Sequence, residues 1–334
     1  MKYITFLHEA EERFGVFVDH VVLDVREAHK LMLQETGRDD KQLPKKIISF
    51  LSEGEPSRRA LHNLVTWFRA IDAPLHLRGI RIAYSAEEIK MLAPIPHPTS
   101  MRDGYAFRQH VEAARRNRGL EMIPEFDEIP IFYFTNLNAV IGEGNVEVMP
   151  QHLNQLDFEL EAAIVIGKGG KNISAQRADE HVAGYMVMND WSARGLQMLE
   201  MKMNLGPAKG KDFATAIGPC LVTRDELADR RIETPNGEKY DLEMRAFVNG
   251  TQVSKGNLKD MTWTFAQIIE RASYGVELYP GDVIGSGTCG TGCFLELNGS
   301  KVYDPPWWLK PGDEVVCEID LLGKLSNVVK LVED

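Results

Sequence analysis

The stretch LDFELEAAIVIG, residues 156–167, decides the fold class. Residues 162–166 are an unbroken apolar run rich in Ile and Val and closed by a glycine. The stretch reads as a strand running into the core, and the apolar run marks that strand as central. Just ahead of the run, Glu159 and Glu161 alternate along the same strand, so their side chains share a face. Outward from it come more short segments bounded by Gly, Pro, Asn or Asp. They are IPIFYFT (129–135), VAGYMVMND (182–190), AIGPCLVT (216–223), EMRAFVNGTQV (243–253), DVIGSGT (282–288), CFLELNG (293–299) and EVVCEIDLL (314–322). Each reads as a strand. Asn249-Gly250 signals a hairpin, and the Pro-Gly-Asp triplets at 280–282 and 311–313 signal turns. Beyond residue 92, helical spacing is confined to about 104–118, 175–182, 191–200 and 262–273. The pattern is α+β and strand-rich, without regular βαβ alternation.

Residues 1–92 read as a smaller N-terminal α/β domain. YITFL, GVFVDHVVLDV and RGIRIAYS suggest strands, and 25–36 and 57–71 have helical spacing, with Leu61, Leu64, Val65 and Phe68 on one face. Pro94, Pro96 and Pro98 make a stiff linker. The expected boundary is therefore near residue 92, with a catalytic domain over 93–334.

With 38 Lys and Arg against 49 Asp and Glu, the 334-residue chain carries a formal charge of −11, which argues against a nucleic-acid surface. A composition of 44% hydrophobic and 26% charged residues excludes wholesale disorder. No window approaches a membrane span. Glu9, Glu11 and Glu12 fall where a leader's apolar stretch would run. Cys220, Cys289, Cys293 and Cys317 read as reduced, buried thiols, and the expected location is the cytoplasm. Cys289 and Cys293 are four apart, but no histidine stands near them in sequence, so no zinc site is expected.

GSGTCG at 285–290 fits the dinucleotide fingerprint only if it opens a helix; followed by a strand-like CFLELNG, it reads as a glycine-rich turn. GKGGKN at 167–172 lacks the ending of a phosphate-binding loop. The acidic residues are more informative. Glu159 and Glu161 repel unless neutralised, so they are either a solvated strand edge or oxygen ligands for a hard divalent cation. Asp190 closes a strand where a helix begins and is either an N-cap or a third such ligand; Arg194 and Gln197 follow at helical spacing. Asp103, Tyr105 and His110 cluster after the proline-rich stretch, and Lys211 lies in a glycine-flanked loop. Singly, His110, Lys211 and Glu296 are unremarkable.

Taken in order, these segments resemble the fumarylacetoacetate hydrolase family: RDGYAFRQH, DFELEAAIVIG, NDWSARGLQ, the GKDFATAIGP stretch, the Gly285–Gly290 loop and LEL at 295–297. The resemblance implies a roll of mixed β-sheets preceded by a smaller, variable N-terminal domain, a homodimer, and a small-molecule keto-acid substrate. It implies Mg²⁺, with Mn²⁺ or Ca²⁺ as alternatives, held by Asp103, Glu159, Glu161 and Asp190. His110, oriented by Glu296, would be the general base. Arg194, Gln197 and Lys211 would hold substrate oxygens, and Tyr105, Tyr133 and Thr288 would line the substrate. The H-x-x-E motif of the acylpyruvate hydrolase and oxaloacetate decarboxylase branch is not matched, because Glu112 follows His110 one residue too soon. The expected reaction is therefore metal-assisted hydrolysis of a C–C bond in a β-diketo acid such as fumarylacetoacetate, as in tyrosine and other aromatic catabolism. The alternative is an acylpyruvate hydrolase or an oxaloacetate-type decarboxylase. The family's arginine for a distal carboxylate falls on Gly119, with Arg115, Arg116 and Arg118 close by.

Overall fold

A computed structural model describes residues 1–332. The strands that matter here are β1 (Lys2–His8), β2 (Glu11–Val18), β3 (Val21–Asp24), β4 (Ala83–Tyr84), β5 (Met101–Gly104), β6 (Phe132–Phe134), β7 (Gly144–Val148), β8 (Leu160–Ile166), β9 (Val182–Asp190), β10 (Thr215–Val222), β11 (Glu243–Val248), β12 (Thr251–Asn257), β13 (Val283–Gly285), β14 (Glu314–Ile319) and β15 (Gly323–Leu331). The helices are α1 (Val25–Thr36), α2 (Ile47–Glu53), α3 (Glu55–Ala70), α4 (Arg108–Arg116), α5 (Arg194–Glu200), α6 (Phe265–Ser273) and α7 (Phe294–Gly299). One large sheet runs β4-β3-β2-β1-β10-β9-β8-β13-β5-β6, and a second runs β7-β15-β14-β11-β12. Both are mixed: β13 pairs with β5, and β7 with β15, in parallel, while most other pairs are antiparallel. The fold class is strand-rich α+β, as the sequence pattern predicts.

β8 explains the apolar run. Ala162, Ile164 and Ile166 enter one core, with side chains of the second sheet and α6; Ala163 and Val165 enter the other, against α1–α3. A strand sandwiched in this way has no solvated face, so its sequence shows no polar alternation. The Asn249-Gly250 hairpin forms between β11 and β12, both residues having positive φ.

The structure corrects one expectation, the strand at CFLELNG, and decides against the N-cap alternative at Asp190. The sheet passes through residue 92 without a break: β1 pairs with β10, and Tyr3, Phe14 and Leu64 share a core with Ala163, Met188 and Val283. The N-terminal strands thus join the large sheet and its core. CFLELNG forms a helix, α7, rather than a strand. Its first amides, those of Phe294 and Leu295, donate to the Asp157 carboxylate at 2.8 and 2.9 Å, a capping contact from 137 residues away that local propensity does not contain. Finally, Asp190 ends β9 but does not cap the next helix, which starts at Arg194 with Ala193 in the N-cap position.

Candidate active site

Five neighbouring strands, β9-β8-β13-β5-β6, converge at one end of the large sheet. By alternation Asp103 follows Met101, Glu161 follows Ala163 and Asp190 follows Met188 on one face of that sheet. Met101, Ala163 and Met188 belong to the core beneath α1–α3. The acids therefore continue apolar rows just beyond the edge of that core. One carboxylate oxygen from each of Asp103, Glu159, Glu161 and Asp190 lies within 4.8 Å of the others, and all four residues are buried.

Glycines make room for them. Gly285 of β13 stands opposite Asp103 of β5, and a Cβ at Gly285 would overlap the Asp103 Oδ1 position. Gly287, at φ 78°, turns its amide onto both Asp103 Oδ1 (3.1 Å) and Glu161 Oε2 (3.0 Å). The GSGTCG loop thus serves a pair of carboxylates rather than a dinucleotide. The helix that follows it starts only at Phe294. Thr288 Oγ1 faces Glu161 Oε1 at 3.4 Å.

Two cations stand among the acids. Lys211 Nζ donates to Glu159 Oε2 and, at 2.7 Å, to Asp190 Oδ2. Arg194 spends its guanidinium on Asp157 (2.8 Å), Glu159 (2.8 Å) and the Gln197 carbonyl oxygen (2.9 Å). With its oxygen occupied, Gln197 presents its NH₂ as the free donor. Tyr133 OH donates to Asp190 Oδ2, so this residue buttresses a carboxylate.

The electrostatics follow from burial with too few cations. Burial, with the Asp190 charge next, pushes the Asp103 carboxyl up to about 7. Burial and the charge of Asp103 hold Glu161 well above the usual carboxylate range. Burial raises Asp190 despite Lys211. Burial opposes ionisation of Glu159 as well, but Lys211 and Arg194 overcome it and keep that carboxyl low. Asp190 Oδ1 is buried with no hydrogen-bond partner. Four converging carboxylates, three of them raised by burial and one with an orphaned oxygen, suit a hard divalent cation, whose charge would relieve all three conditions.

Beside this cluster, His110 on α4 places Nδ1 2.7 Å from Glu296 Oε2 on α7. The other Glu296 oxygen accepts the Thr291 amide at 2.9 Å, so the carboxylate is fixed from both sides. Tyr105 packs edge-on to His110, ring centroids 5.9 Å apart. All twelve residues singled out from the sequence thus gather in one region. Sequence reasoning missed Asp157, which joins Arg194 to the start of α7 and is fully buried. Alternation could have found it, since Asp157, Glu159 and Glu161 are spaced two apart. It also missed Asn189, whose side-chain oxygen accepts the Glu159 amide at 2.9 Å.

Residues 99–330 match the family model described as fumarylacetoacetate (FAA) hydrolase C-terminal. The chain is 31% identical over 318 residues to an oxaloacetate tautomerase of Bacillus subtilis, covering 93% of each protein. It is 34% identical over 296 residues to a mitochondrial oxaloacetate tautomerase of Homo sapiens, covering 87% of this chain and 81% of that one. The solved structure of a fumarylacetoacetate hydrolase from the psychrophile Exiguobacterium antarcticum shares the fold, with a TM-score of 0.67 at 23% identity over 99% of this chain and 100% of the other. Among the described residues, no helix is long and apolar enough to cross a membrane.

Proposed function

The chain belongs to the fumarylacetoacetate hydrolase family, and from that premise we propose that it interconverts the keto and enol forms of a small 2-oxo dicarboxylate of the oxaloacetate type. The observation that carries this reading is the similarity, over nearly the whole chain, to a protein named for that activity. It supports an oxaloacetate-directed enzyme over the fumarylacetoacetate cleavage expected from the motifs. Tautomerisation differs from the decarboxylation named as the alternative in breaking only C–H and O–H bonds.

Asp103, Glu159, Glu161 and Asp190 are the residues that would hold the divalent cation. When bound, the cation supplies Lewis-acid stabilisation of an enolate oxygen. His110 moves the proton at carbon: it delivers a proton to C3 of the enol, or removes one from the keto form, while the oxygen releases the matching proton to solvent or takes one from it. Glu296 accepts from Nδ1 and so keeps Nε2 as the basic nitrogen. Arg194, Gln197 and Lys211 supply donors to the substrate's oxygens, and Tyr105 and Thr288 line its path. A homodimer with no membrane or nucleic-acid partner completes the proposal.

A second reading is kept, C–C hydrolysis of a β-diketo acid or acylpyruvate, because the fixed His110–Glu296 pair equally suits activation of water. Freshly dissolved enol-oxaloacetate, fumarylacetoacetate and acetylpyruvate, each with and without Mg²⁺, separate the two. Faster ketonisation of oxaloacetate with no cleavage products supports tautomerisation. Cleavage of either diketo acid with no effect on oxaloacetate ketonisation refutes it.

A further inference from the structure

Cys293 takes no part in the reaction above, yet it stands against its base. A ring nitrogen of His110, a carboxylate oxygen of Glu159 and Cys293 Sγ lie within 4.8 Å of one another, and all three residues are buried. The donor set differs in kind from the four-carboxylate cluster. Imidazole, thiolate and carboxylate together favour a borderline-soft ion such as zinc, whereas four carboxylates favour a hard one.

The surroundings of His110 match this use. Its Nδ1 is held by Glu296, which is itself fixed by the Thr291 amide. A histidine bound through one nitrogen to a carboxylate presents the other, unprotonated, to a metal. Tetrahedral zinc, with bonds of about 2.0–2.3 Å, needs its donors roughly 3.3–3.8 Å apart. The present separations are at most 4.8 Å, so the donors need to close by no more than about 1.5 Å. The fourth position would remain open to water or substrate. Residues 110 and 293 are distant in sequence and meet where α4 packs on α7, which is why the cysteine spacing alone pointed away from zinc.

We propose that His110, Cys293 and Glu159 form a second cation site, selective for zinc-class ions, which shares Glu159 with the hard-cation site and switches the enzyme off when filled. As the S–Zn bond forms, the thiol proton leaves to solvent, and zinc takes the His110 nitrogen that would otherwise carry the substrate's proton. Binding stands on the geometry; inactivation also rests on the role of His110 proposed above.

The test uses the full chain with Mg²⁺ in excess and Co²⁺ as a spectroscopic substitute for zinc. Wild type should develop a thiolate-to-cobalt charge-transfer band that zinc abolishes, and Cys293→Ser should lack it. Zinc should inhibit wild type, and Cys293→Ser should require at least ~10-fold more, the loss expected for one ligand of a set. X-ray absorption of zinc-loaded wild type needs no variant and should find one sulfur at about 2.3 Å. No sulfur at zinc, a cobalt band that persists in Cys293→Ser, or unchanged zinc sensitivity in that variant would each overturn the proposal. A sulfur-bound zinc in a protein with no effect on oxaloacetate would uphold the site and refute the tautomerase reading instead.

Discussion

Stripping divalent ions from the protein and raising the pH should weaken the fold in a way that one residue controls. Asp103 ionises at about 7 in the folded protein against an ordinary value of 3.8. A carboxyl raised in this way keeps its proton in the native state after the unfolded chain has lost it. Its contribution to stability is complete below pH ~3.8, declines as pH rises toward about 7, and is level thereafter. The gap corresponds to roughly 4 kcal/mol at most. Glu161, raised by burial and by Asp103, extends the decline upward. Glu159 has the opposite sign, but its folded value lies below its ordinary 4.5, so it stops contributing to the slope above that pH. The assay is urea unfolding in EDTA between pH 4.5 and 8, for wild type and Asp103→Asn. The amide cannot ionise, so the variant's stability should fall less steeply over that window, and saturating Mg²⁺ should flatten the wild-type curve because the ion binds the ionised native state alone. Equal slopes for wild type and Asp103→Asn in EDTA would show that Asp103 is not held protonated, and the electrostatic account of the cluster would fail.

Glu161→Gln should weaken Mg²⁺ binding by at least ~10-fold by calorimetry and lower turnover in parallel, since a charged ligand is lost; unchanged affinity would remove it from the ligand set. His110→Ala should bind Mg²⁺ as wild type does while kcat falls by ~10²–10⁴, and near-normal turnover would exclude it as the base. Asp157→Asn leaves buried Arg194 short of a counter-charge and should cost roughly 3–5 kcal/mol in urea unfolding; a loss under ~1 kcal/mol would mean the Arg194 network is not held by that carboxylate. Arg115→Ala and Arg118→Ala should raise KM for a dicarboxylate substrate more than for its monocarboxylate analogue, with kcat retained, and equal effects on both substrates would exclude a distal contact.

The sheet and the site were legible in the sequence to different degrees. The run at 162–166 announced a central strand, and the spacing of Leu61, Leu64, Val65 and Phe68 announced the buried face of α3, because both signals are local. Glu159 and Glu161 were legible as a same-face pair for the same reason. What stayed hidden depended on partners distant in sequence. Helix α7 owes its start to Asp157, and Tyr133 faces Asp190 through the pairing of β6 with β5. The continuity of the sheet across residue 92 rests on β1 meeting β10 more than two hundred residues later. Proline-rich composition marks a stiff turn but does not say whether the chain on either side shares a core.

Charge balance leads from the site to its rim. Arg194 is matched by Asp157, and Lys211 offsets one of the four clustered acids, which leaves a local deficit of three positive charges if all four ionise. A divalent cation removes two of them. A monocarboxylate substrate would then enter a site already slightly negative, and a dicarboxylate would fare worse unless its far end met another cation. Burial raises the Tyr105 phenol, and the charges of Arg118 and Arg115 oppose that rise. Arg115 is tied to the Glu121 carbonyl and Arg118 to that of Ala114 at 3.0 Å, contacts that a carboxylate could replace with a stronger, charge-assisted one. The acids and the base are common to hydrolysis and tautomerisation. Comparing KM for dicarboxylate and monocarboxylate substrates in Arg115→Ala and Arg118→Ala decides whether these two cations meet the far end of the substrate.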